Sequence, residues 1–491
     1  MITDQTFMTH VLANYDFDGN GMVTSEEVAT VEYLELATDD IASLEGIEFF
    51  TGLKYLWVKG TDSGYPDYAP SGMLTELDLS KNISLVTLDC RGNNLTRLVL
   101  PAGNALKEVH AWYDSKLKEL VIPDNPGLKT LNLYGTGITD IDLSTCPSLE
   151  NLQIGPRSSN FVDDNLNNPT RVRVDFSKNS RMKNLRIYFG DGNVDVSHMT
   201  ELETLYLQYC RLTELNVRNN TKLRELYCEY NDLASLDLSN NADLTYLDTS
   251  DNPDLKTLDI SSCRKLTDLR TDARGVYVWE GFDMSSADLN YPATSTYIVK
   301  GTEAMGTVIN DKIKDPVFLS LLIYLFDFDE DGIITDRLAS YVTWFATWGE
   351  EYSKYSNIKS LSGIEYFTGL QSFTFVCPDA DLGYVDMSEC TNLEELRLSG
   401  SGVTSVDLPM TSTLTWLDVD NNMIDSLDIS ANPSLKCIYL NQTWGHPMKT
   451  LYVWKGFDSS KLDAFSIDET TEIIEKVMHL ETGDVVKDVR D

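Results

Sequence analysis

A short pattern of leucine and polar residues recurs along most of the chain at intervals of about 21 residues. Each occurrence is an alternating Leu-x-Leu segment, such as Leu205-Tyr206-Leu207, followed by a turn that carries Asn, Cys or Gly. Alternation places both leucines on one face of an extended strand. A helix would need apolar residues at i, i+3, i+4 and i+7, and these turns contain too many Asn, Gly and Pro residues. The pattern therefore predicts short strands stacked into a solenoid, with the turn Asn bonded to nearby backbone groups.

A second phase of the pattern lies between occurrences of the first, at steps of about 10 or 11 residues. This phase reads Leu-Asp-Leu-Ser with little change, as at Leu236-Asp237-Leu238. The first phase varies at its outward positions, which are rich in Tyr, Trp and Arg. A uniform phase suits a structural wall, and a varied phase suits recognition, because Tyr, Trp and Arg dominate binding hot spots.

We predict that the varied positions form the binding face. The candidate residues are His110, Trp112, Tyr134, Arg186, Tyr188, Tyr206, Tyr227, Trp416, Tyr439, Tyr452 and Trp454. Their expected ligand is an extracellular protein. A glycan is the alternative, since aromatic side chains also stack on sugar rings. Aromatic pairs that only stabilise the sheet are the third explanation.

One segment near the N-terminus has the spacing of an EF-hand calcium loop. The predicted ligands are Asp16, Asp18, Asn20, the backbone carbonyl of Met22, Thr24 and Glu27. Gly21 allows the sharp turn at position 6, and Glu27 supplies the bidentate carboxylate at position 12. The competing explanation is an acidic turn that caps a helix at Thr24.

A second loop repeats part of this spacing. The corresponding ligands are Asp327, Asp329, Asp331 and the backbone carbonyl of Ile333. Position 12 is Leu338, so the bidentate carboxylate is missing unless Asp336 or a later Glu replaces it. The sequence leaves calcium occupancy of this loop open and predicts a lower affinity than for the first.

Each loop is followed by the motif Ser-Leu-x-Gly-Ile-Glu-x-Phe-Thr-Gly-Leu, at residues 43–53 and 360–370. Together with the repeats, these motifs resemble the leucine-rich repeat superfamily. More narrowly, they resemble Bacteroidetes-type surface leucine-rich repeat proteins with internalin-like caps, over roughly residues 10–460. The resemblance implies an α/β leucine-rich repeat solenoid of short parallel strands. It also implies export, often as a surface lipoprotein.

The same order of acidic loop, cap motif and Leu-x-Leu repeats occurs twice in the sequence, which predicts two tandem solenoid modules. Residues 1–40 form an EF-hand-like cap with a small helix, and residues 41–300 form a first module of about nine turns. Residues 311–357 form a second EF-hand-like cap. Residues 358–491 form a shorter module of about three turns that ends in closing strands.

Composition narrows the function. The 491 residues include 39 Lys and Arg against 77 Asp and Glu, a net charge of −38. This balance disfavours nucleic acid and anionic membrane surfaces as partners. The longest apolar run, residues 318–326, is too short to span a bilayer, so we expect no direct membrane insertion. A secreted or cell-surface location is favoured, with a cytoplasmic one as the alternative.

Catalytic motifs are missing from the sequence. The five histidines lie in no nucleophile elbow, zinc motif or phosphate loop. The eight cysteines mostly occupy inward or turn positions and are expected to be small buried residues rather than disulfides. We therefore expect a monomeric, non-enzymatic, calcium-stabilised scaffold for protein interaction or adhesion at the cell surface. A glycan-binding surface protein and a structural coat or spacer are the alternatives.

Overall fold

The structure is a computed structural model that describes residues 2–61, 71–156, 171–282, 296–301, 305–328, 331–347, 355, 357–378, 380–442 and 446–476. The chain divides into two compact units. The first comprises Met1–Leu255, Asp259–Asp272 and Asp283–Asn290, and the second comprises Lys256–Leu258, Ala273–Phe282 and Tyr291–Asp491. No helix in the described ranges is both long and apolar enough to cross a membrane.

Short strands account for most of the regular structure before residue 300. They are β1 (Tyr33–Ala37), β2 (Tyr55–Lys59), β3 (Glu76–Asp78), β4 (Thr87–Asp89), β5 (Arg97–Val99), β6 (Glu108–His110), β7 (Glu119–Val121), β8 (Thr130–Tyr134), β9 (Asp140–Asp142), β10 (Asn151–Gly155), β11 (Arg173–Asp175), β12 (Asn184–Tyr188), β13 (Thr204–Gln208), β14 (Glu225–Tyr227), β15 (Tyr246–Asp248), β16 (Thr257–Asp259), β17 (Asp268–Arg270), β18 (Gly275–Val278) and β19 (Thr296–Val299).

The later strands follow the same plan. They are β20 (Trp344–Thr347), β21 (Ser372–Phe375), β22 (Gly383–Asp386), β23 (Glu395–Arg397), β24 (Val403–Asp407), β25 (Trp416–Asp418), β26 (Ser426–Asp428), β27 (Cys437–Tyr439), β28 (Thr450–Trp454), β29 (Ala464–Ser466) and β30 (Glu472–Lys476). The helices are α1 (Gln5–Tyr15), α2 (Ser25–Val28), α3 (Pro316–Phe326) and α4 (Asp336–Tyr341), with 3-10 turns at Ile47–Phe49, Ile364–Tyr366 and Ser459–Lys461.

The two sequence phases form different sheets. The varied phase makes an eleven-stranded sheet, β1-β2-β4-β6-β8-β10-β12-β13-β14-β15-β17, and a six-stranded sheet, β20-β21-β23-β25-β27-β29. The Leu-Asp-Leu phase makes small sheets that include β3-β5-β7 and β26-β28-β30. Pairing is parallel between the named strands, and Leu205 lies in register with Leu185 and Leu226. All three leucines are fully buried, so each turn adds one layer to the core.

The turn asparagines tie successive layers together, as the sequence predicted. The side-chain oxygen of Asn231 accepts hydrogen bonds from the Cys210 and Leu212 amides at 3.0 and 3.1 Å. Its amide group donates to the Leu207 and Cys228 carbonyls at 2.7 and 2.8 Å. One buried side chain thus satisfies four backbone groups that have left the strand ladder. All eight cysteines are buried and none forms a disulfide.

The aspartates of the Leu-Asp-Leu-Ser phase have a local structural role. The Asp237 carboxylate accepts a hydrogen bond from the Ser239 amide at 2.9 Å. The same bond recurs at 2.9 Å for Asp78, 2.8 Å for Asp142 and 3.0 Å for Asp428. Each carboxylate therefore closes an Asx turn where its strand ends. These bonds explain why Asp is repeated at an outward position.

Two features of the module plan differ from the sequence-based expectation. The sheets hold eleven and six strands, where the repeats suggested about nine and three turns. Strands β18 and β19, assigned to the first module by sequence, lie in the second compact unit. The reason is local packing: Ile298 is buried in the core of the second unit, and the Arg274 guanidinium lies 4.8 Å from the Tyr324 ring of α3.

The fold is therefore a leucine-rich repeat solenoid of short parallel strands with small helical caps, as predicted. The C-terminal closing segments are two strands in different sheets. Strand β29 extends the six-stranded sheet beside β27, and β30 pairs with β28.

Candidate functional site

The first acidic loop begins where α1 ends. Asp4 caps the start of this helix by accepting bonds from the Thr6 and Phe7 amides at 3.0 Å. At the other end, the Asp16 carboxylate accepts bonds from the Asn20 amide at 3.1 Å and the Gly21 amide at 2.8 Å. Asp16 thus closes the loop on itself before α2 begins.

Glu27 reaches back across this loop from the first turn of α2. Its carboxylate accepts hydrogen bonds from the Phe17 amide at 2.9 Å and from the Thr24 amide and hydroxyl, both at 2.8 Å. These bonds, led by the one from the Thr24 backbone, lower the pKa of Glu27. Oxygens of Asp16, Asp18 and Glu27 lie within 4.8 Å of one another. Three hard carboxylate ligands in one place suit Ca²⁺ chemically.

The remaining predicted ligands of this loop lie beside that cluster. The Asn20 side-chain amide donates to Asp18 at 2.7 Å, and its oxygen accepts a bond from the Met22 amide at 2.8 Å. Thr24 caps α2 and forms a reciprocal capping box with Glu27. The helix cap and the acidic cluster therefore coexist, although the sequence offered them as alternatives.

The second loop has the same backbone plan. Asp327 accepts bonds from the Asp331 amide at 3.1 Å and the Gly332 amide at 2.8 Å. The Ile333 amide donates to Asp331 at 2.7 Å. Asp329 lies outside the described residues. At position 12, Leu338 is 5% exposed and belongs to the core of the second unit, where a carboxylate would be costly.

A neighbouring segment braces this second loop. The Asn310 side chain donates to the Gly332 carbonyl at 2.8 Å and accepts from the Ile334 amide at 2.7 Å. Asp336, the possible replacement ligand, accepts a bond from the Thr307 amide at 2.7 Å. Its carboxylate is therefore engaged by the backbone. The Asn310 side chain thus holds the loop at two backbone groups, the Gly332 carbonyl and the Ile334 amide.

The varied outward side chains of the eleven-stranded sheet, hereafter the variable face, line up across strands. Arg186, Tyr206 and Tyr227 occupy one row in register. The Arg186 guanidinium lies 4.1 Å from the Tyr206 ring centroid, and the Tyr206 and Tyr227 rings stack at 3.7 Å. Tyr246, which the sequence analysis did not select, continues the stack at 4.4 Å from Tyr227.

The other predicted residues of the first module lie on the same face. Tyr134 and Tyr188 contact each other with ring centroids 5.2 Å apart. Trp112 lies under the Arg91 guanidinium at 4.7 Å. His110 is next to Glu108, with Nε2 3.9 Å from a carboxylate oxygen. The predicted residues thus share one surface without converging on one point.

In the second unit, only part of the predicted set shares a sheet. Trp416 and Tyr439 lie in the six-stranded sheet with ring centroids 5.6 Å apart, and the Arg397 guanidinium lies 4.6 Å from Trp416. Tyr452 and Trp454 belong instead to β28, in the sheet of the Leu-Asp-Leu phase.

The placement of Tyr452 and Trp454 corrects the sequence-based assignment to the varied phase. Strand β28 begins 13 residues after β27, not 10 or 11. Because the two phases alternate, the strand that follows β27 belongs to the Leu-Asp-Leu sheet despite this longer connection. In β28, Tyr452 stands in register with Asp428, and this aromatic residue in place of Asp made the strand resemble the varied phase.

A second column of stacked rings went unnoticed in the sequence. Tyr209 lies 5.0 Å from Phe189 and 4.3 Å from Tyr230, with the rings nearly parallel. Tyr209 and Tyr230 both adopt positive φ, at 56° and 57°. The 21-residue separation of the two tyrosines was the signal that could have revealed this column. They were missed because each lies in the turn after a strand, outside the Leu-x-Leu segment.

Glu229 is a buried carboxyl group next to these columns. It is 6% exposed, and one carboxylate oxygen has no hydrogen-bond partner within the part of the chain that the structure describes. The other oxygen accepts a bond from the Gln208 amide group. Burial, followed by the nearby charge of Asp248, raises the pKa of Glu229 to about 7.

Comparison with known proteins gives structural neighbours only. No protein-family model and no curated protein matches the sequence. The functional domain of InlJ from Listeria monocytogenes is 20% identical over 92% of this chain and 80% of that chain, with a TM-score of 0.38. An internalin, InlF, from the same organism is 14% identical over 97% of this chain and 96% of that chain, with a TM-score of 0.25. The third neighbour is the leucine-rich repeat ectodomain of the Arabidopsis thaliana receptor kinase GASSHO1/SCHENGEN3, in complex with CASPARIAN STRIP INTEGRITY FACTOR 2. It is 13% identical over 88% of this chain and 60% of that chain, with a TM-score of 0.33. None of the three indicates what this chain binds.

Proposed function

We propose that this protein is a non-enzymatic leucine-rich repeat scaffold that binds a protein partner through the variable face. The observation that carries the proposal is a continuous stack of side chains. Arg186, Tyr206 and Tyr227 lie in one row, and Tyr246 of the neighbouring row stacks on Tyr227. These side chains are half-buried and held in place by their neighbours. Pre-ordered aromatic and Arg side chains lose little conformational freedom on binding, and such residues dominate hot spots.

The charges beside this row indicate the chemistry of the partner. Glu225 and Asp268 lie in register with Tyr246 on the strands at either side of it. The chain as a whole carries a charge of −38. Complementary charge speeds association and excludes partners of like charge. We therefore propose a partner that presents basic side chains around an exposed apolar surface.

The test is selection from a randomised peptide display library on the intact chain, followed by affinity measurement of selected peptides. We expect enrichment of Lys, Arg and aromatic residues. The double variant Tyr206→Ala/Tyr227→Ala should weaken binding by about 2 kcal/mol or more, roughly thirtyfold. Tyr452→Ala, an aromatic truncation in the other sheet phase, is the matched control and should leave affinity unchanged. Equal losses in both variants would show that the peptides do not bind through the variable face. No selected peptides would leave the coat or spacer function as the better account.

We further propose that the first acidic loop binds calcium through Asp16, Asp18, Asn20, Thr24, Glu27 and the Met22 carbonyl. The clustered carboxylate oxygens support this assignment. Bound Ca²⁺ would neutralise the repulsion among these acids and fix α1 and α2. A solenoid needs such a terminal cap to cover its exposed end. For the second loop, with Leu338 at position 12, we propose weak binding or none.

The proposal places the protein at the cell exterior, as a secreted or surface-attached monomer. Extracellular calcium modules work with dissociation constants of about 0.1–1 mM, so a structural site of moderate affinity suits that location. Antibody labelling of intact source cells should detect the chain at the surface. Labelling that requires permeabilised cells would instead support the cytoplasmic alternative.

A further inference from the structure

Three neighbouring strands near the middle of the variable face carry side-chain amides. Asn151 lies in register with Thr130 and Asn184, and Gln153 with Asn132 and Arg186. We call these six residues the amide patch. All six side chains are half-buried, so they lie against the sheet and do not extend freely into solvent.

Hydrogen bonds order this floor from strand to strand. The Asn184 amide group donates to the Asn151 oxygen at 2.6 Å, and the Asn151 amide group donates to the Thr130 hydroxyl at 3.2 Å. In the next row, the Asn132 amide group donates to the Gln153 oxygen at 3.3 Å. The side chains are thereby fixed before any ligand arrives, which reduces the entropy lost on binding.

The ordered amides keep unused hydrogen-bonding groups. The Gln153 NH2 group donates to no residue within the described ranges, and the Asn184 side-chain oxygen accepts no bond from them. Asn132, by contrast, uses its oxygen to accept the Tyr134 amide at 3.1 Å. One amide donor and one amide acceptor therefore remain for a ligand.

The amide patch is almost free of acidic charge, unlike its surroundings. The outward positions of β8, β10 and β12 carry no carboxylate, and Arg186 is their only charged residue. Glu108 on β6 and Glu225 on β14 lie beyond this region. In a chain with 77 acidic residues, this neutral stretch selects for an uncharged polar ligand rather than a basic one.

An aromatic edge borders the patch. Tyr134 and Tyr188 come within 5.2 Å of each other across the strand that ends at Gly155. A Cβ at position 155 would lie 2.5 Å from the Tyr188 carbonyl oxygen, and the φ of +135° also disfavours a side chain. Glycine is therefore what allows the rings to meet over the intervening strand. The result is a polar floor beside an apolar wall.

This combination matches one class of ligand. We propose that the amide patch binds a neutral glycan, with hydroxyl groups of one pyranose unit on Gln153 and Asn184 and the C–H face of the adjoining unit against Tyr134 and Tyr188. A sugar hydroxyl both donates and accepts, as this pair of amides requires. The depression holds about 110 Å³, well below the 300–1,000 Å³ of enclosing small-molecule sites, so the sugar is held by one face.

The inference rests on the proposed function only in placing the ligand on the variable face. The sugar site and the stack of Arg186, Tyr206, Tyr227 and Tyr246 have only Arg186 in common. The sugar site and the protein site can therefore fail separately.

The test uses the full chain in calcium and a panel of neutral hexasaccharides: maltohexaose, cellohexaose, xylohexaose, mannohexaose and chitohexaose. Saturation-transfer NMR detects contact, and calorimetry gives affinity. We expect at least one of them to bind. Gln153→Glu, which replaces the NH2 donor by an oxygen at nearly constant shape, should lower its affinity at least tenfold, as should Tyr188→Ala. Tyr452→Ala, an aromatic truncation in the sheet β26-β28-β30, is the control and should change affinity less than twofold.

Two outcomes would overturn the proposal. One is the absence of binding to every hexasaccharide by a chain that is folded according to circular dichroism. The other is sugar affinity that Gln153→Glu leaves intact. If Gln153→Glu instead abolishes binding of the display-selected peptides while no sugar binds, the patch is a peptide-backbone site and the glycan assignment is wrong. Loss of peptide binding in Tyr206→Ala/Tyr227→Ala is unaffected by any of these results.

Discussion

At the scale of single residues, the turn position filled by Asn231 has an informative exception at Asp114. Asn93, Asn231 and Asn252 each donate a side-chain N–H to the carbonyl three residues earlier, at 2.8 to 3.0 Å. An ionised Asp cannot donate. Asp114 is fully buried, and one of its oxygens has no partner among the residues described. Burial raises its pKa well above the usual value, which favours the protonated acid, the form that can donate as the amide does.

This raised pKa gives the first prediction. An Asp in the unfolded chain titrates near 3.9, whereas Asp114 in the folded chain holds its proton to higher pH. The folded state therefore binds more protons, and the free energy of unfolding falls as pH rises from about 4 through the folded pKa. Asp114→Asn keeps the donor at every pH and should stabilise the protein at pH 8 by about 1–3 kcal/mol. Urea unfolding at pH 4.5 and pH 8 measures the difference.

The matched control for that experiment is Asp142→Asn. Asp142 sits in an exposed Asx turn, where its side-chain oxygen accepts a bond from the Ser144 amide. Asn can accept the same bond, so this change should shift stability by about 0.5 kcal/mol or less at either pH. If Asp114→Asn gave the same small, pH-independent shift, Asp114 would have to be an ordinary ionised carboxylate.

At the scale of elements, the two cap loops share a backbone plan and differ in what holds them. The first loop gathers carboxylate oxygens of Asp16, Asp18 and Glu27. The second has Leu338 at the position of Glu27 and is braced by Asn310. The sequence spacing was enough to predict both loops, because position 6 requires Gly and position 1 requires Asp in each. It could not show the brace, which comes from residues ahead of α3.

The first loop should make the cap depend on calcium. At a calcium concentration 100-fold above the dissociation constant, binding stabilises the folded state by about 2.7 kcal/mol. We expect thermal unfolding in millimolar calcium to occur several degrees above that in chelator, and Glu27→Gln to remove most of this difference. Glu26→Gln, an exposed neighbour outside the carboxylate cluster, should keep it. Identical melts of the unaltered protein in calcium and in chelator would refute the site.

The second loop should depend on Asn310 whatever the calcium concentration. Asn310→Ala removes two hydrogen bonds and leaves the Gly332 carbonyl and the Ile334 amide without these partners. A loss of about 1–3 kcal/mol of local stability is expected. Hydrogen exchange at the Ile334 amide should quicken accordingly in both calcium and chelator. Asp311→Ala, which removes an exposed ion pair with Lys312, is the control and should leave that exchange unchanged. Slow exchange in Asn310→Ala would show that the brace contributes nothing.

Strands were predictable where they carry Leu-x-Leu and less so elsewhere. Strands β20, β21 and β29 place Phe345, Phe373 and Phe465 at the inward positions, which breaks the leucine pattern that marked the repeats. Tyr452 and Trp454 were assigned to the wrong sheet because β28 carries aromatic residues where the Leu-Asp-Leu phase usually carries Asp, although the alternation of phases places it beside β26. The stacked rings of Tyr206 and Tyr227, in contrast, follow directly from the 21-residue repeat.

At the scale of the whole molecule, the dominant electrostatic feature is an excess of 38 negative charges. Much of the acid is built into the repeat, because Asx-turn aspartates such as Asp78 and Asp237 recur turn after turn. Some stacked turns place like charges in register, as with Asp142 and Asp175 or Asp386 and Asp407, and self-repulsion opposes the compact state. The ion pairs that offset it, such as Lys54–Glu32 and Lys265–Asp243, are exposed and individually weak.

The balance between repulsion and ion pairing predicts the response to salt. The Debye length falls from about 30 Å at 0.01 M ionic strength to about 3 Å at 1 M, so salt screens contacts between neighbouring turns. Because uncompensated acids outnumber pairs, screening should remove more repulsion than attraction, and the melting temperature should rise with NaCl at fixed calcium. Sucrose at matched osmolality controls for solvent exclusion, which stabilises any compact state. If NaCl lowered the melting temperature, the weak surface pairs would outweigh the repulsion, and the repeated aspartates would have to be neutralised within their own turns.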